Sequence, residues 1–394
     1  MSGHVVLITG VTRYLGSELA GILARHPDVE RVIGVDATLP EPAARRRMGT
    51  AEFARADIRN PLIARIIETA GVDTVVHASA SATPANSKAR TMVKEMNVLG
   101  TMQLLAACQR SASVTNLILR STTSVYGASS RDPAIFTEST EPMSLPARGP
   151  ARDAIDIEGY VRGFARRRPD VRVAVPRFAE VIGPTVKTPL TRYFSLSPVV
   201  PTAMGHDSRL QLVHETDAVG VLEHLVLGDF AGTVNVAGDG IVMLSQAIHR
   251  AGRIPLPVPM ATLNRLGGTL RALRIGGFAP EQIELLMAGR VVDTTVLRDG
   301  VRFAPKFSTA AAFDDFAATL TPSVSRAQIR DVEMTLARGI GVRPMPEDRN
   351  RNPLDGQTVS PETALTGNAA VDALGLVALP GGRTGPRKAR KVRI

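Results

Sequence analysis

The sequence predicts an α/β fold built on a doubly wound parallel sheet. Three observations carry this. Apolar runs such as HVVLITG at 4–10 are continuous, as strands buried on both faces are. They alternate with helical segments, the rhythm of βαβ units. The first strand runs into a glycine turn and then a helix, the order of a phosphate-binding turn.

The elements follow in sequence. HVVLITG (4–10) is a strand and SELAGILARHP (17–27) has helical spacing. RVIGVDA (31–37) is a second strand, and PLIARIIETAG (61–71) is helical. DTVVHASA (73–80) is a clear strand, followed by a long helix over 89–110. VTNLILRST (114–122) is a strand, IDIEGYVRGFARRRP (155–169) a helix and VRVAVPRF (171–178) a strand. Right-handed crossovers make this a Rossmann-type sheet with helices on both faces. From about 178 Pro and Gly become frequent and the alternation breaks up. The expected organisation is a dinucleotide-binding domain over 1–177, a smaller irregular substrate region over 178–321 that partly returns to the first domain, and a disordered basic tail over 322–394.

Composition narrows the function classes. Hydrophobic residues make up 44% and charged residues 21%, the balance of a globular protein with a core. One cysteine, Cys108, excludes an internal disulfide and a cysteine metal cluster; its apolar surroundings predict a buried thiol. No apolar run is long enough for a membrane span, and no secretory signal opens the chain, so the cytoplasm is expected. The net charge of +10 invites a nucleic-acid partner. Its distribution argues against one: six Lys and Arg lie in the last twelve residues, without which the chain carries +4. The runs at 44–48 and 165–170 read as solvated helix ends.

VVLITGVTRYLGSELA (5–20) is strand, turn, helix. Gly10 allows the sharp turn and Gly16 close packing of helix on strand; the first helical turn, with Leu15, then offers its N–H groups to a pyrophosphate. Arg13 replaces the middle glycine of the pattern and can pair with a phosphate or crowd it. Asp36 ends the second strand twenty residues after Gly16, where a carboxylate accepts from ribose hydroxyls and repels a 2′-phosphate. NAD is therefore expected over NADP. Asp57 and Ile58 follow the next strand-like segment, at an adenine edge.

Eight motifs in order, TGVTRYLG, DIRNP, VVHASA, NVLGTMQLL, STTSVYG, PRFAEVIGP, LQLVHETDA and GTVNVAGDG, give the chain a resemblance to the NAD-dependent epimerase/dehydratase family of extended short-chain dehydrogenases. It is most similar to an actinobacterial group labelled UDP-glucose 4-epimerase. The resemblance spans about 4–316. It implies that His77, Ala78, Ser79 and Ala80 lie along the cofactor and that Asn97 supports the active-site backbone. It places Thr122 on the reacting sugar oxygen and makes Tyr126 structural. It puts Arg177, Arg209, Gln211 and Asp217 in the nucleotide-binding region, with Glu180 where the family often has an Asn that holds a diphosphate. The implied substrate is a nucleotide sugar, and the implied assembly a homodimer through the helices around 90–110 and 152–168.

The family's proton acceptor is a Tyr, helped by a Lys four residues later on the same helix face. Counting back from Glu158 puts Pro150 and Ala154 at these two positions. Tyr160 lies ten residues after Pro150, about 15 Å along a helix. Arg148 and Arg152 can bind ribose or phosphate but cannot act as bases. His77, or a water held by Asp153, is the remaining candidate for the proton. Two functions stay open: an enzyme of the family type with rerouted acid–base chemistry, and a catalytically degenerate NAD-binding sensor or scaffold. A third, binding to RNA, membrane or an acidic partner through the basic tail, is weaker.

Overall fold

The computed structural model describes residues 3–78, 87–127, 132–141, 149–259 and 289–321. Ser79, Ala80, Arg148 and the tail at 322–394 lie outside the described residues.

The apolar runs form one parallel sheet. Its strands are β1 (His4–Thr9), β2 (Val29–Asp36), β3 (Glu52–Arg55), β4 (Thr74–His77), β5 (Asn116–Leu119), β6 (Ser121–Thr122), β7 (Arg172–Phe178) and β12 (Gly232–Val236). The order is β12-β7-β5-β4-β1-β2-β3, with β6 paired to β7. The crossover direction reverses between β1 and β4, the switch point where such sheets bind ligands.

Alternation along β1 shows why its sequence is apolar throughout. Val6 and Ile8 enter one core and Leu7 the other, and all three are fully buried. The first core is closed by α1 (Tyr14–Leu23), α2 (Pro42–Met48) and α7 (Glu215–Leu227), through Leu19, Met48 and Leu222. The second is closed by α3 (Leu62–Ala70), α4 (Ser87–Arg110) and α5 (Pro150–Arg167), through Ile67, Leu104 and Val161. Cys108 is buried there, as expected, and burial pushes its thiol up to about 12.

After β7 the chain builds a third core from short pieces. β8 (Glu180–Ile182) pairs in parallel with β11 (Leu212–His214), β9 (Val199–Ala203) with β14 (Ile254–Val258), and β10 (Arg209–Leu210) runs antiparallel to β13 (Val242–Met243). Phe194 and Phe313 meet edge to face at its centre, brought together by α6 (Pro189–Phe194) and α9 (Thr309–Ala317), with α8 (Leu244–Arg250) beside them. This region shares the large sheet through α7 and β12, so the return of the chain across residue 178 is a structural join.

The basic run at 165–170 is not simply a solvated helix end. Arg168 caps α5 and reaches across to α4, where its Nη1 donates to the carbonyls of Cys108 (2.9 Å) and Ser111 (3.0 Å). Its Nη2 donates to the Val114 carbonyl at 3.2 Å and to Asp170 at 2.6 Å. The reason is general: the last carbonyls of a helix have no partner within it. Among the described residues no helix is long and apolar enough to cross a membrane.

Candidate active site

The turn after β1 is as tight as its glycines demand. Gly10 has φ +78°, a conformation that other residues rarely adopt. A Cβ on Gly16 would lie 2.5 Å from the Gly10 carbonyl oxygen, so helix and strand meet only because that position is glycine. Arg13 caps α1 from an exposed position, its N–H on the Gly10 carbonyl at 3.2 Å. Leu15 is buried in the first helical turn. Asp36 is aimed at this turn: the Thr12 hydroxyl donates to its Oδ2 at 2.6 Å.

The remaining predicted cofactor residues also sit at strand ends. Asp57 is gripped by Arg59, whose Nη2 donates to Oδ2 at 2.6 Å and holds the carboxyl below its usual range. Ile58 is buried against Gly100, where a Cβ would come 2.5 Å from Ile58 Cδ1. Ala78 is buried just after β4.

His77 is a tie and not a base. Thr9 Oγ1 lies 2.7 Å from its Nδ1 and Thr101 Oγ1 2.8 Å from its Nε2. Thr101 gives its own proton to the Asn97 carbonyl, so the inferred tautomer carries the proton on Nε2. Burial lowers the imidazole to about 4. The expectation that His77 takes a substrate proton is corrected on this geometry; the ring instead joins β1, β4 and α4.

A small cavity of about 10 Å³, room for about one water, lies at the ends of β5 and β6. It is lined by Asn97 from α4, by Leu119, Arg120, Ser121 and Thr122, and by Pro150, Asp153, Ala154 and Ile157 from α5. The structure therefore brings two predicted residues, Thr122 and Asn97, onto the helix face that carries Pro150 and Ala154. Thr122 also caps the short 3₁₀ turn Thr123–Tyr126 through its hydroxyl. No Tyr, Lys or His is among these lining residues.

Behind the cavity runs a buried polar network. Glu158 accepts from Ser121 Oγ at 2.5 Å and from Arg177 Nε (3.0 Å) and Nη2 (2.7 Å). Arg177 Nη1 donates to Tyr126 Oη at 2.8 Å, and that hydroxyl donates to Asn235 Oδ1 at 2.7 Å. The expected contact of Arg177 with substrate is corrected accordingly, because its donors are turned onto Glu158, Tyr126 and the Glu138 carbonyl inside the wall. Gln211 and Asp217 are likewise structural: Gln211 Oε1 accepts the Val292 N–H, and Asp217 accepts the N–H groups of Lys306 and Phe307. Arg209 lies on β10 opposite Met243, apart from the cavity lining.

Arg120 escaped the sequence reading, whereas Asp153 entered it only as the holder of a water. Arg120 is half-buried beside the Phe178 ring, with its guanidinium 5.9 Å from the ring centroid. Burial and the nearby charge of Arg13 lower it to about 10, while Glu180 pulls it up. The edge where Glu180 sits thus also carries two guanidinium groups. Asp153 is 2% exposed and belongs to the cavity wall itself. The signal for Arg120 was available: a charge directly after the apolar run NLIL, at a strand end where parallel sheets bind ligands.

Comparisons with known proteins bear on the family and the fold. A protein of Mycobacterium tuberculosis (strain H37Rv), described as uncharacterized, is 47% identical over 354 residues, covering 89% of this chain and 93% of its own. Among solved structures the chain is similar to UDP-glucose 4-epimerase from Thermotoga maritima with UDP-glucose, with TM-score 0.62, 19% identity, and 80% of this chain and 97% of that one covered. It is similar also to dTDP-glucose 4,6-dehydratase from Bacillus anthracis in complex with NAD (TM-score 0.62, 16% identity, 80% and 96% covered). A third is UDP-glucuronic acid 4-epimerase from Bacillus cereus in complex with UDP-glucuronic acid and NAD (TM-score 0.61, 16% identity, 83% and 99% covered). At these identities the likeness is one of fold. The sequence profile of the NAD dependent epimerase/dehydratase family matches residues 6–203. The glycine turn, where Gly16 leaves no room for a Cβ, and the oriented Asp36 suit the adenosine half of a dinucleotide. The chain belongs to the NAD dependent epimerase/dehydratase family, and its cofactor is NAD.

Proposed function

We propose that this protein is an NAD-dependent enzyme of the epimerase/dehydratase type that acts on a nucleotide sugar. The observation that carries this reading is the cavity that joins Thr122 and Asn97 to the face of α5 at the strand ends. Gly10, Arg13, Leu15, Gly16 and Asp36 would hold the adenosine and pyrophosphate half of NAD, with Asp57 and Ile58 beside the adenine. Ala78, Ser79 and Asn97 would border the nicotinamide half. When bound, NAD supplies a hydride acceptor that returns what it takes. Thr122 orients the sugar hydroxyl. Arg209 and Glu180 face the nucleotide, with Arg13 and Arg120 supplying positive charge on the Glu180 side. UDP-glucose and UDP-glucuronic acid, present in the neighbouring structures, are the first substrates to try.

Pro150 and Ala154, at the positions of the family's Tyr and Lys, favour a second reading. In it the protein binds NAD without turnover and works as a sensor or scaffold. One experiment separates the two. Calorimetric titration should give NAD binding well above NADP binding, because Asp36 repels a 2′-phosphate. Mixing the NAD complex with each nucleotide sugar should then produce NADH absorbance, and Thr122→Val should slow it about 100-fold or more. NAD binding with no NADH from any sugar selects the second reading; no binding of NAD removes both.

The outer face of the helix pair α4/α5 supports a homodimer. Leu99, Met102 and Tyr160 are exposed there, at 49%, 41% and 39%. An isologous contact would cover them with the same helices of a second copy.

A further inference from the structure

We propose that Asp153 is the proton acceptor of this site, in place of the phenol that the cavity lining lacks. The inference rests on the enzyme reading above. Asp153 lies on the fourth residue of α5, and the cavity face of that helix is Pro150, Asp153, Ala154 and Ile157, the i, i+3, i+4, i+7 stripe. Opposite stand Arg120, Ser121 and Thr122 from the sheet and Asn97 from α4.

Among the described residues lining the cavity, elimination leaves one base. Leu119, Pro150, Ala154 and Ile157 carry no titratable group, and an amide such as Asn97 is not basic. Ser121 already donates to Glu158. Arg120, even lowered to about 10, is cationic at neutral pH. Among the described residues outside the lining, several alternatives are closed as well. His77 is held at both nitrogens, and Glu158 is closed by Arg177 and Ser121. Tyr126 and Tyr193 are hydrogen-bonded inside other cores, and Tyr160 faces outward. Of the nine lining residues, Asp153 alone can take up a proton.

Its surroundings suit a buried carboxylate. The first turn of a helix favours negative charge, and Arg120 brings a fixed cation to the same cavity. The two roles that the family places on one helix are divided: a carboxylate from α5 accepts the proton, and a guanidinium from the sheet supplies the positive charge. A bound NAD would supply the acceptor for the hydride of the sugar C–H bond. Asp153 would take the proton of the hydroxyl on the same carbon by way of Thr122 Oγ1, leaving a carbonyl, and would give it back when the hydride returned, so nothing is consumed. A carboxylate is a weaker base than a tuned phenolate, and turnover is correspondingly slow.

The test pairs a binding measurement with a rate. A unit negative charge near the nicotinamide favours the oxidised, cationic ring over NADH. Asp153→Asn should lower the ratio of NAD to NADH affinity about fivefold and leave ADP-ribose, which has no nicotinamide, unchanged. It should also slow NADH formation from UDP-glucose or UDP-glucuronic acid about 100-fold or more. Asp153→Glu should keep the affinity ratio and part of the rate. Asp153→Ser, smaller than either, should repeat the Asn result if the amide does not fit. An unchanged affinity ratio in the folded Asn or Ser variant overturns the assignment, whether or not turnover falls. A wild-type protein that forms no NADH with any nucleotide sugar defeats the enzyme reading instead, and the affinity ratio still reports where the charge lies.

Discussion

The Thr9–His77–Thr101 contact has an energetic signature. The folded imidazole titrates at about 4, against an ordinary 6.5, because charging it would place a cation in a site without solvent. Above pH 6.5 both folded and unfolded chains hold it neutral, and it does not affect stability. Between 6.5 and 4 the unfolded chain takes a proton that the folded chain refuses. Stability therefore falls over that window, by roughly 3 kcal/mol for this one group. Urea midpoints for wild type and His77→Gln, compared at about pH 7 and about pH 4.5, should show a smaller acid loss in the variant. Equal losses would mean that the ring is not shut away as described. From the sequence alone, VVHASA could not distinguish a histidine beside the cofactor from one locked between threonines, because Thr9 and Thr101 are far away in the chain. Gly16 and Asp36 were legible for the opposite reason: their demands are local, a missing Cβ and a strand end.

Among the elements, α5 shows how one helix can serve two masters. Its cavity face carries Pro150, Asp153 and Ala154, while Glu158 one turn on is ion-paired with Arg177 of β7. The far end is fixed by Arg168, which satisfies carbonyls of α4. Arg168→Ala should cost about 2 kcal/mol, since it removes several charge-assisted hydrogen bonds and uncovers helix-end carbonyls. Chemical denaturation would measure it, and a shift close to zero would mean that water replaces the guanidinium at no loss. Most strands and helices before residue 178 were readable from periodicity, because their apolar runs are buried; α2 and β3, short and largely exposed, were not among them. Nor were the pieces after residue 178. β10 and β13 are two residues long and β8 and β11 three, too short to show any period, and their partners lie far along the chain.

For the whole molecule, the outer face of α4 and α5 sets the expected assembly. Sedimentation should report a dimer, and Leu99→Glu combined with Met102→Glu should give monomers that still bind NAD; a monomeric wild type would refute the contact. The sequence reading placed a boundary at 177 and expected the later region to return partly to the first domain, without saying which pieces return; in the structure α7 and β12 join the first sheet. Composition records solvent exposure and turn frequency, and neither reveals which sheet a strand will join. The network from Ser121 through Glu158, Arg177 and Tyr126 to Asn235 makes a further point. It reaches from the middle of the sheet to its edge, and Ser121 is its one member that also lines the cavity. The residues that face a ligand are therefore largely different from those that hold the frame. A change of side chain in the lining, Ser121 excepted, therefore leaves the bonds of this wall intact, so the cavity can take on other chemistry while its frame stands.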